Sequence, residues 1–210
     1  MTADPVRATL IALALGAAAA APLSLATVTP AFAQAERDAS AEGFVQSQAS
    51  RALQILSSGE SAAQKKSDFP AFVDQVADVP RITGFVLGKY RRSVTPGQYA
   101  DFSDAFRNYA NGVYESRLGQ YRGQGLKVTG SIVRKPGDVV VSSDVTGGAG
   151  RPAVVQWRVV RSGSGWRVVD VNVSGVWLAL TQQQDFVSTL DNNRGDIGVL
   201  TGQLRTQTPR

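Results

Sequence analysis

The segment GWRVVDVNVSGV, residues 165–176, has the alternating pattern of a β-strand. Successive side chains of a strand point to opposite faces, which predicts Trp166 and Asp170 on one face. The other face carries a row of valines: Val169, Val171 and Val173. An unbroken valine row needs a large apolar volume beside it, which is either a packed core or a cavity for an apolar ligand.

The alternating pattern of this segment extends back along the chain to Gly125. Four strands are predicted, at residues 126–134, 139–145, 153–161 and 166–174. The connections between them are short and rich in Gly, which favours an antiparallel meander. The third strand is predicted to place Gln156 and Arg158 outward and to hold an apolar inward face: Ala153, Val155, Trp157 and Val159.

Helical periodicity precedes the predicted sheet. Helices are predicted at residues 41–58, in a second stretch interrupted near Pro70, and at 82–88 after a break at Pro80. A longer helix then begins at Thr95, because Thr95 and Gln98 have the spacing of a capping box.

Two further helices are predicted after the sheet, the first of them capped by Thr181. Helices followed by a four-stranded antiparallel sheet indicate an α+β fold. A twisted sheet that curls around helices on one face encloses a cone, and the interior of such a cone suits an apolar ligand.

The two ends of the chain are predicted to lie outside this domain. Residues 1–33 resemble an export signal, with Arg7, a long alanine-rich apolar run and a small-residue cleavage site that ends at Ala33. Residues 34–40 are predicted as a polar linker, 41–205 as one domain and 206–210 as a flexible tail. The predicted location is therefore outside the cytoplasm, with the signal peptide removed near Ala33.

The composition excludes several kinds of site. The 210 residues contain no His and no Cys, so a Ser-His-Asp triad, a Cys-His pair and a zinc site are impossible. Only carboxylate chemistry and hard-metal sites remain, and no metal or cofactor is predicted. The net charge of +5 fits anionic lipid headgroups or an acidic partner, whereas the lack of a long basic cluster argues against nucleic acid.

Three motifs carry a resemblance to a known family. The first is LGKYR at 87–91, after an apolar helix. The second is TPGQ at 95–98, followed by a set of aromatic, leucine and glycine positions: Phe102, Phe106, Tyr114, Leu118, Tyr121 and Gly123. The third is the segment at 165–176. In order and spacing these motifs resemble the MlaC, or toluene-tolerance, family of periplasmic phospholipid carriers, from about Phe44 to Leu204.

The resemblance implies a fold and an activity. The fold is a nuclear-transport-factor-two-like curved sheet with helices that enclose a deep pocket for acyl chains. The activity is the transfer of phospholipid between an outer-membrane lipoprotein complex and an inner-membrane ABC-transporter complex. Trp177 departs from the family pattern, where a small Ser often follows Gly-Val, and a bulky indole there would narrow the pocket or change the lipid. A related hopanoid-associated branch, HpnM, has the same framework, which leaves a hopanoid as an alternative ligand.

A carrier of this kind needs an apolar pocket wall, because burial of lipid tails supplies the affinity. The predicted wall residues are Phe85, Tyr90, Phe102, Phe106, Val141, Val155, Trp157, Val169, Val171 and Val173. Each of these is also compatible with a place in the dry core.

The predictions for the charged residues leave more than one role open. The cluster of Lys89, Arg91 and Arg92 is predicted to contact a headgroup or an acidic partner, or simply to be solvated. Asp170 is predicted to pair with an arginine such as Arg158 or to cap a nearby turn. An enzyme on the same fold would need a base that faces the cavity, and none is evident. A non-catalytic adaptor of a membrane complex would instead have a pocket filled by its own side chains.

Overall fold

A computed structural model describes residues 36–118, 123–147 and 153–207 of the chain. The predicted signal peptide, Tyr121 and the last three residues of the predicted tail lie outside these ranges. The elements are α1 (Ala39–Ser57), α2 (Ala62–Val76), α3 (Val79–Val86), a 3₁₀ turn (Gly88–Arg92), α4 (Pro96–Leu118), β1 (Gly125–Lys135), β2 (Asp138–Thr146), β3 (Ala153–Ser162), β4 (Gly165–Val173), β5 (Val176–Trp177), α5 (Leu178–Asn192) and α6 (Ile197–Thr206).

The strands form one antiparallel sheet in the order β1-β2-β3-β4-β5. The predicted α+β class and the antiparallel meander are confirmed, and the sheet gains a short fifth strand that the sequence did not predict. A tight turn produces β5: Ser174 and Gly175 have φ of 53° and 91°, and the side chain of Asn172 accepts the N–H of Gly175 at 2.9 Å. A strand of two residues is too short to leave a periodic pattern.

The register of β4 breaks at Val169. Asp170 pairs with Arg158 while Val168 pairs with Val159, so Val169 is an extra residue, and this irregularity is a β-bulge. Because of the bulge, Trp166 shares a face with Val168 and Val171 instead of lying opposite the valines. The prediction of a regular alternation through residues 165–176 is therefore wrong at this one position.

The carbonyl at the bulge has a specific partner. The N–H of Asp78 donates to the carbonyl oxygen of Val168 at 2.9 Å, and Ala77 forms an isolated parallel bridge to Val168. The link between α2 and α3 is thereby attached to β4 at the point where the strand is irregular.

The apolar interior of the described residues divides into two clusters. The helical core is formed by α3, α4, α5, α6 and Leu87, and its members include Phe102, Phe186 and Leu190. The sheet core lies between α1, α2 and the sheet, and its members include Val141 and Trp166. The two cores contribute side chains to opposite walls of the cavity described below.

Several helix boundaries follow the sequence closely. Thr95 and Gln98 form the predicted capping box, with Gln98 N–H donating to Thr95 Oγ1 at 3.3 Å and Thr95 N–H to Gln98 Oε1 at 3.0 Å. Helix α1 begins at Ala39, earlier than predicted, because Asp38 accepts the N–H of Ala41.

Other helix boundaries differ from the prediction. Pro70 lies inside α2 without ending it, and Pro80 stands at the start of α3, where a proline is well tolerated. Helix α5 begins at Leu178, so the prediction that Thr181 caps it is wrong. No helix of the described residues is long and apolar enough to cross a bilayer.

Candidate functional site

A cavity of about 280 Å³ lies between the two cores. Ile82, Val86 and Phe106 line it from the side of the helical core. Ala77, Val168 and Val171 line it from the side of the sheet core. Most of the remaining wall is also apolar, so the cavity suits a hydrocarbon ligand.

The cavity opens toward the hairpin between β4 and α5. Val176 and Leu178 line it and are nevertheless 49% and 48% exposed. Large apolar side chains that are this exposed at the end of a cavity form an apolar rim.

A second cavity of about 250 Å³ adjoins the first. Its wall is mixed, with two arginines and a carboxylate beside apolar side chains: Arg81, Ile82, Phe85, Arg158, Val169 and Asp170. Ile82, Val169 and Asp170 line both cavities. The side chain of the bulge residue Val169 therefore stands between an apolar space and a polar one.

Asp170 has a structural role at the same place. Its Oδ1 accepts the N–H groups of Val171 and Ala179, both at 2.8 Å. Ala179 lies in the first turn of α5, where backbone N–H groups have no partner within the helix. Of the two predicted roles of Asp170, capping of a nearby turn is confirmed: its carboxylate on β4 caps the first turn of α5.

Arg158 pairs with Asp138 and not with Asp170. Its Nε and Nη2 donate to the two carboxylate oxygens of Asp138 at 3.0 and 2.8 Å. These hydrogen bonds hold the pKa of the Asp138 carboxyl below its usual value, against the opposing effect of burial. The pKa of Arg158 is raised by the same pair and, to a smaller extent, by the charge of Asp170.

Comparison with known proteins identifies the family and agrees with the fold. The chain matches the family described as MlaC protein over residues 46–206, which is more than half of its length. The chain belongs to the MlaC family. Among solved structures it is similar to the phospholipid-binding protein from Ralstonia solanacearum, solved in complex with a phospholipid, with a TM-score of 0.71 and 28% sequence identity. That match covers 81% of this chain and 97% of the other.

A curated relative gives the same family. The toluene tolerance protein ttg2D of Pseudomonas putida is 28% identical over 142 residues, which cover 64% of this chain. The matched region spans 66% of that relative, slightly less than two thirds of its length.

Within this MlaC-family fold the predicted wall residues fall into separate places. Phe106, Val169 and Val171 line the first cavity, and Phe85 lines the second. Three others lie within or against the two cores and line neither cavity: Phe102, Val141 and Trp157. Val155 is buried, belongs to neither core and lines neither cavity. Val173 is exposed on the hairpin, and Tyr90 packs beside the helical core.

The predicted basic cluster is largely occupied by contacts within the protein. Lys89 Nζ lies 2.6 Å from Asp191 Oδ1, and the hydroxyl of Tyr90 donates to the same oxygen at 2.5 Å. These contacts lower the pKa of Asp191. The guanidinium of Arg91 lies 3.9 Å from the ring centroid of Tyr99.

The position of Gly88 in the LGKYR motif has a structural reason. Gly88 has a φ of +52°, and a Cβ on it would approach Val187 Cγ2 to 2.7 Å. The 3₁₀ turn that carries Lys89 and Tyr90 therefore packs closely on α5. Within the described contacts the motif holds elements of the helical core together.

Several lining residues escaped the sequence prediction. Ala77, Ala110 and Ala179 line the first cavity. A small side chain carries no signal of its own in a hydropathy pattern, although it is what leaves the space open. Ile82 belongs to the predicted apolar helix at 82–88 and could have been found there. Trp177 is half-buried in β5 and lines neither cavity.

Among the described residues no group of His, Cys, Asp or Glu side chains is arranged to hold a metal ion.

Proposed function

We propose that this chain is a lipid carrier that binds the acyl chains of a phospholipid in the cavity between its two cores, without a chemical step. The observation that carries the proposal is the apolar cavity with its exposed rim at Val176 and Leu178. Membership of the MlaC family and the similarity to a phospholipid-binding protein support it.

Burial of hydrocarbon alone supplies the required affinity. Each methylene group removed from water contributes about 0.8 kcal/mol, so about ten of them supply about 8 kcal/mol. Before the cost of immobilising the lipid is subtracted, that free energy corresponds to a dissociation constant of about 1 μM. No specific polar partner is needed deep inside the cavity.

The size of the cavity implies that it widens on loading. At about 280 Å³ it lies near the lower end of the usual range for ligand sites, about 300–1,000 Å³. The two walls belong to different cores, Val86 and Phe106 to the helical core and Val168 to the sheet core. A small displacement of one core from the other enlarges the space without disrupting the packing of either.

We further propose that the chain is exported and moves lipid between membrane complexes, as the family resemblance implies. The partners would be an outer-membrane lipoprotein complex and an inner-membrane ABC-transporter complex. A hopanoid remains the alternative ligand. An adaptor without a ligand would have a filled pocket, so the open cavity argues against that reading.

The direct test is purification without detergent, followed by native mass spectrometry and lipid extraction. We expect phospholipid in near-stoichiometric amount. A hopanoid in its place would move the chain to the hopanoid alternative. A protein that is empty and also takes up no lipid from vesicles would contradict the proposal.

A pair of alanines on α4 provides a matched control. Ala110 lines the cavity, whereas Ala100 on the same helix is exposed. Ala110→Phe fills the space and should abolish most of the lipid uptake, while Ala100→Phe should leave it unchanged. Equal uptake by the two variants would show that the tails bind elsewhere.

A further inference from the structure

The second cavity has open polar groups that no contact within the described residues uses. Arg158 employs Nε and Nη2 in its pair with Asp138, which leaves Nη1 without a hydrogen-bond partner there. The guanidinium of Arg81 likewise has no hydrogen bond or ion pair to the described residues, since only its backbone N–H is used. Both arginines line the cavity.

The carboxylate of Asp170 is the third charged group that lines the second cavity. Oδ1 of Asp170 accepts two backbone N–H groups, while Oδ2 has no partner among the described residues. Among the described residues no buried side-chain nitrogen or oxygen lacks a hydrogen bond, so Nη1 of Arg158 and Oδ2 of Asp170 are in contact with solvent, and Arg81 is exposed. The cavity therefore presents free guanidinium donors and a free carboxylate oxygen side by side.

The wall of the second cavity also has an apolar part. Ile82 and Val169 continue from the first cavity into the second, and Phe85 is 38% exposed beside them. A wall that changes from hydrocarbon to charged groups of both signs matches the junction between the tails and the headgroup of a lipid.

We propose that the second cavity binds the headgroup of a zwitterionic phospholipid, with its phosphodiester at Arg81 and Arg158 and its ammonium group at Asp170. This inference rests on the proposed function, because it places the headgroup next to tails in the first cavity. Guanidinium groups bind phosphate through charge-assisted hydrogen bonds. Asp138 already balances Arg158, so the charges of Arg81 and Asp170 together leave the cavity near neutral and disfavour a headgroup with a net negative charge.

In the test, the full chain is incubated with vesicles. The vesicles contain equal amounts of phosphatidylethanolamine and phosphatidylglycerol that carry the same acyl chains. Extracted lipid is quantified by mass spectrometry, which gives both the total uptake and the ratio of the two headgroups. We expect phosphatidylethanolamine to be enriched about threefold in the protein.

Two variants separate the charges of the cavity. Arg81→Gln should lower the uptake of both lipids about fivefold, because it removes one of the two guanidinium contacts to the phosphate. Asp170→Asn keeps an oxygen that can accept the N–H of Ala179, and it should shift the headgroup ratio toward phosphatidylglycerol. Arg134→Gln changes an exposed arginine on β1 that lines neither cavity, and it should behave as the wild type.

The outcomes distinguish this inference from the proposed function. If the wild type takes up no lipid at all, the carrier function itself fails. If uptake is normal but the ratio is unbiased and Arg81→Gln equals Arg134→Gln, only the headgroup site is overturned. Calorimetry with inorganic phosphate covers the other source of the anion: binding that is lost in Arg81→Gln, together with unchanged lipid uptake, would identify a free-phosphate site and also overturn the inference.

Discussion

The two cores that border the cavity are stabilised in different ways. In the helical core, Phe186 packs edge-on against Phe102 and Phe106 at centroid distances of 5.9 and 5.8 Å. Polar contacts between the segments of the helical core, such as Tyr90 Oη to Asp191 Oδ1, are exposed, and the buried hydroxyl of Thr201 donates only to a carbonyl in its own helix. The sheet core is crossed by polar contacts between distant segments, such as Trp166 Nε1 to Ser40 Oγ at 2.9 Å.

This difference has a consequence for specificity. Apolar packing supplies free energy but tolerates small sliding movements, whereas directed hydrogen bonds between distant residues define one register. We expect the sheet core to act as the fixed wall of the cavity and the helical core as the wall that moves.

The largest expected effect is on the helical core. Leu190 is 0% exposed, and Leu190→Ala should lower the free energy of unfolding by about 2–5 kcal/mol, because it leaves a void among close-packed side chains. Leu180→Ala on the same helix removes a side chain that is 40% exposed and should cost much less. Denaturant unfolding measures both values.

The same variant tests the independence of the two cores. Hydrogen exchange read by mass spectrometry should rise in α4–α6 of Leu190→Ala and remain unchanged in β1–β3. A uniform rise across the sheet would show that the two cores open as one unit, which contradicts the comparison above.

An intermediate effect is expected in the sheet region, at Asp138. This carboxylate is 3% exposed and forms the two hydrogen bonds to Arg158, so Asp138→Asn should cost about 1–3 kcal/mol. Asp144→Asn is the matched control, because Asp144 lies on the same strand and has no ion pair among the described contacts.

The effect of Asp138 should depend on pH. Its pKa is lowered in the folded state, so its stabilising contribution is complete above the unfolded value of about 3.9 and is lost as the pH falls through the folded value. The wild type should therefore lose more stability on acidification below about pH 4 than Asp138→Asn does. Parallel curves for the two proteins would argue against the assignment.

The smallest effect is expected at the edge of the sheet. The side-chain amide of Gln46 on α1 forms two hydrogen bonds to the free backbone edge of β1, as a neighbouring strand would. Its Nε2 donates to Leu126 O at 3.3 Å, and its Oε1 accepts from Val128 N at 3.0 Å. Gln46→Ala should cost about 1 kcal/mol and speed hydrogen exchange at Val128. Gln54→Ala changes an exposed glutamine on the same helix and should change neither quantity.

Local signals were sufficient for much of the fold. The capping box at Thr95 and Gln98 depends only on residues within one turn, and the alternating strands follow from their own side chains. The start of α5 could not be predicted in this way, because its cap at Ala179 comes from Asp170 in another element. Thr181 has the chemistry of a helix cap, but it lies inside α5, which begins at Leu178.

The candidate site was harder to predict than the fold. A valine in the core and a valine at the cavity wall have the same hydropathy, and only the packing of other elements separates Val141 from Val171. The second cavity was not anticipated, since Arg81 and Asp170 are far apart in sequence and belong to no motif.

The bulge at Val169 also determines what the deletion of a single codon would do to the sheet. Because Val169 is unpaired in the ladder, its neighbours Val168 and Asp170 already lie on opposite faces of the sheet, as adjacent residues of a regular strand would. An in-frame deletion of this single codon would leave each neighbour on its present face and remove one of the three side chains that line both cavities, with Ile82 and Asp170 retained. Gain or loss of this one codon would therefore change the wall between the two cavities without changing the face on which any other residue of β4 lies.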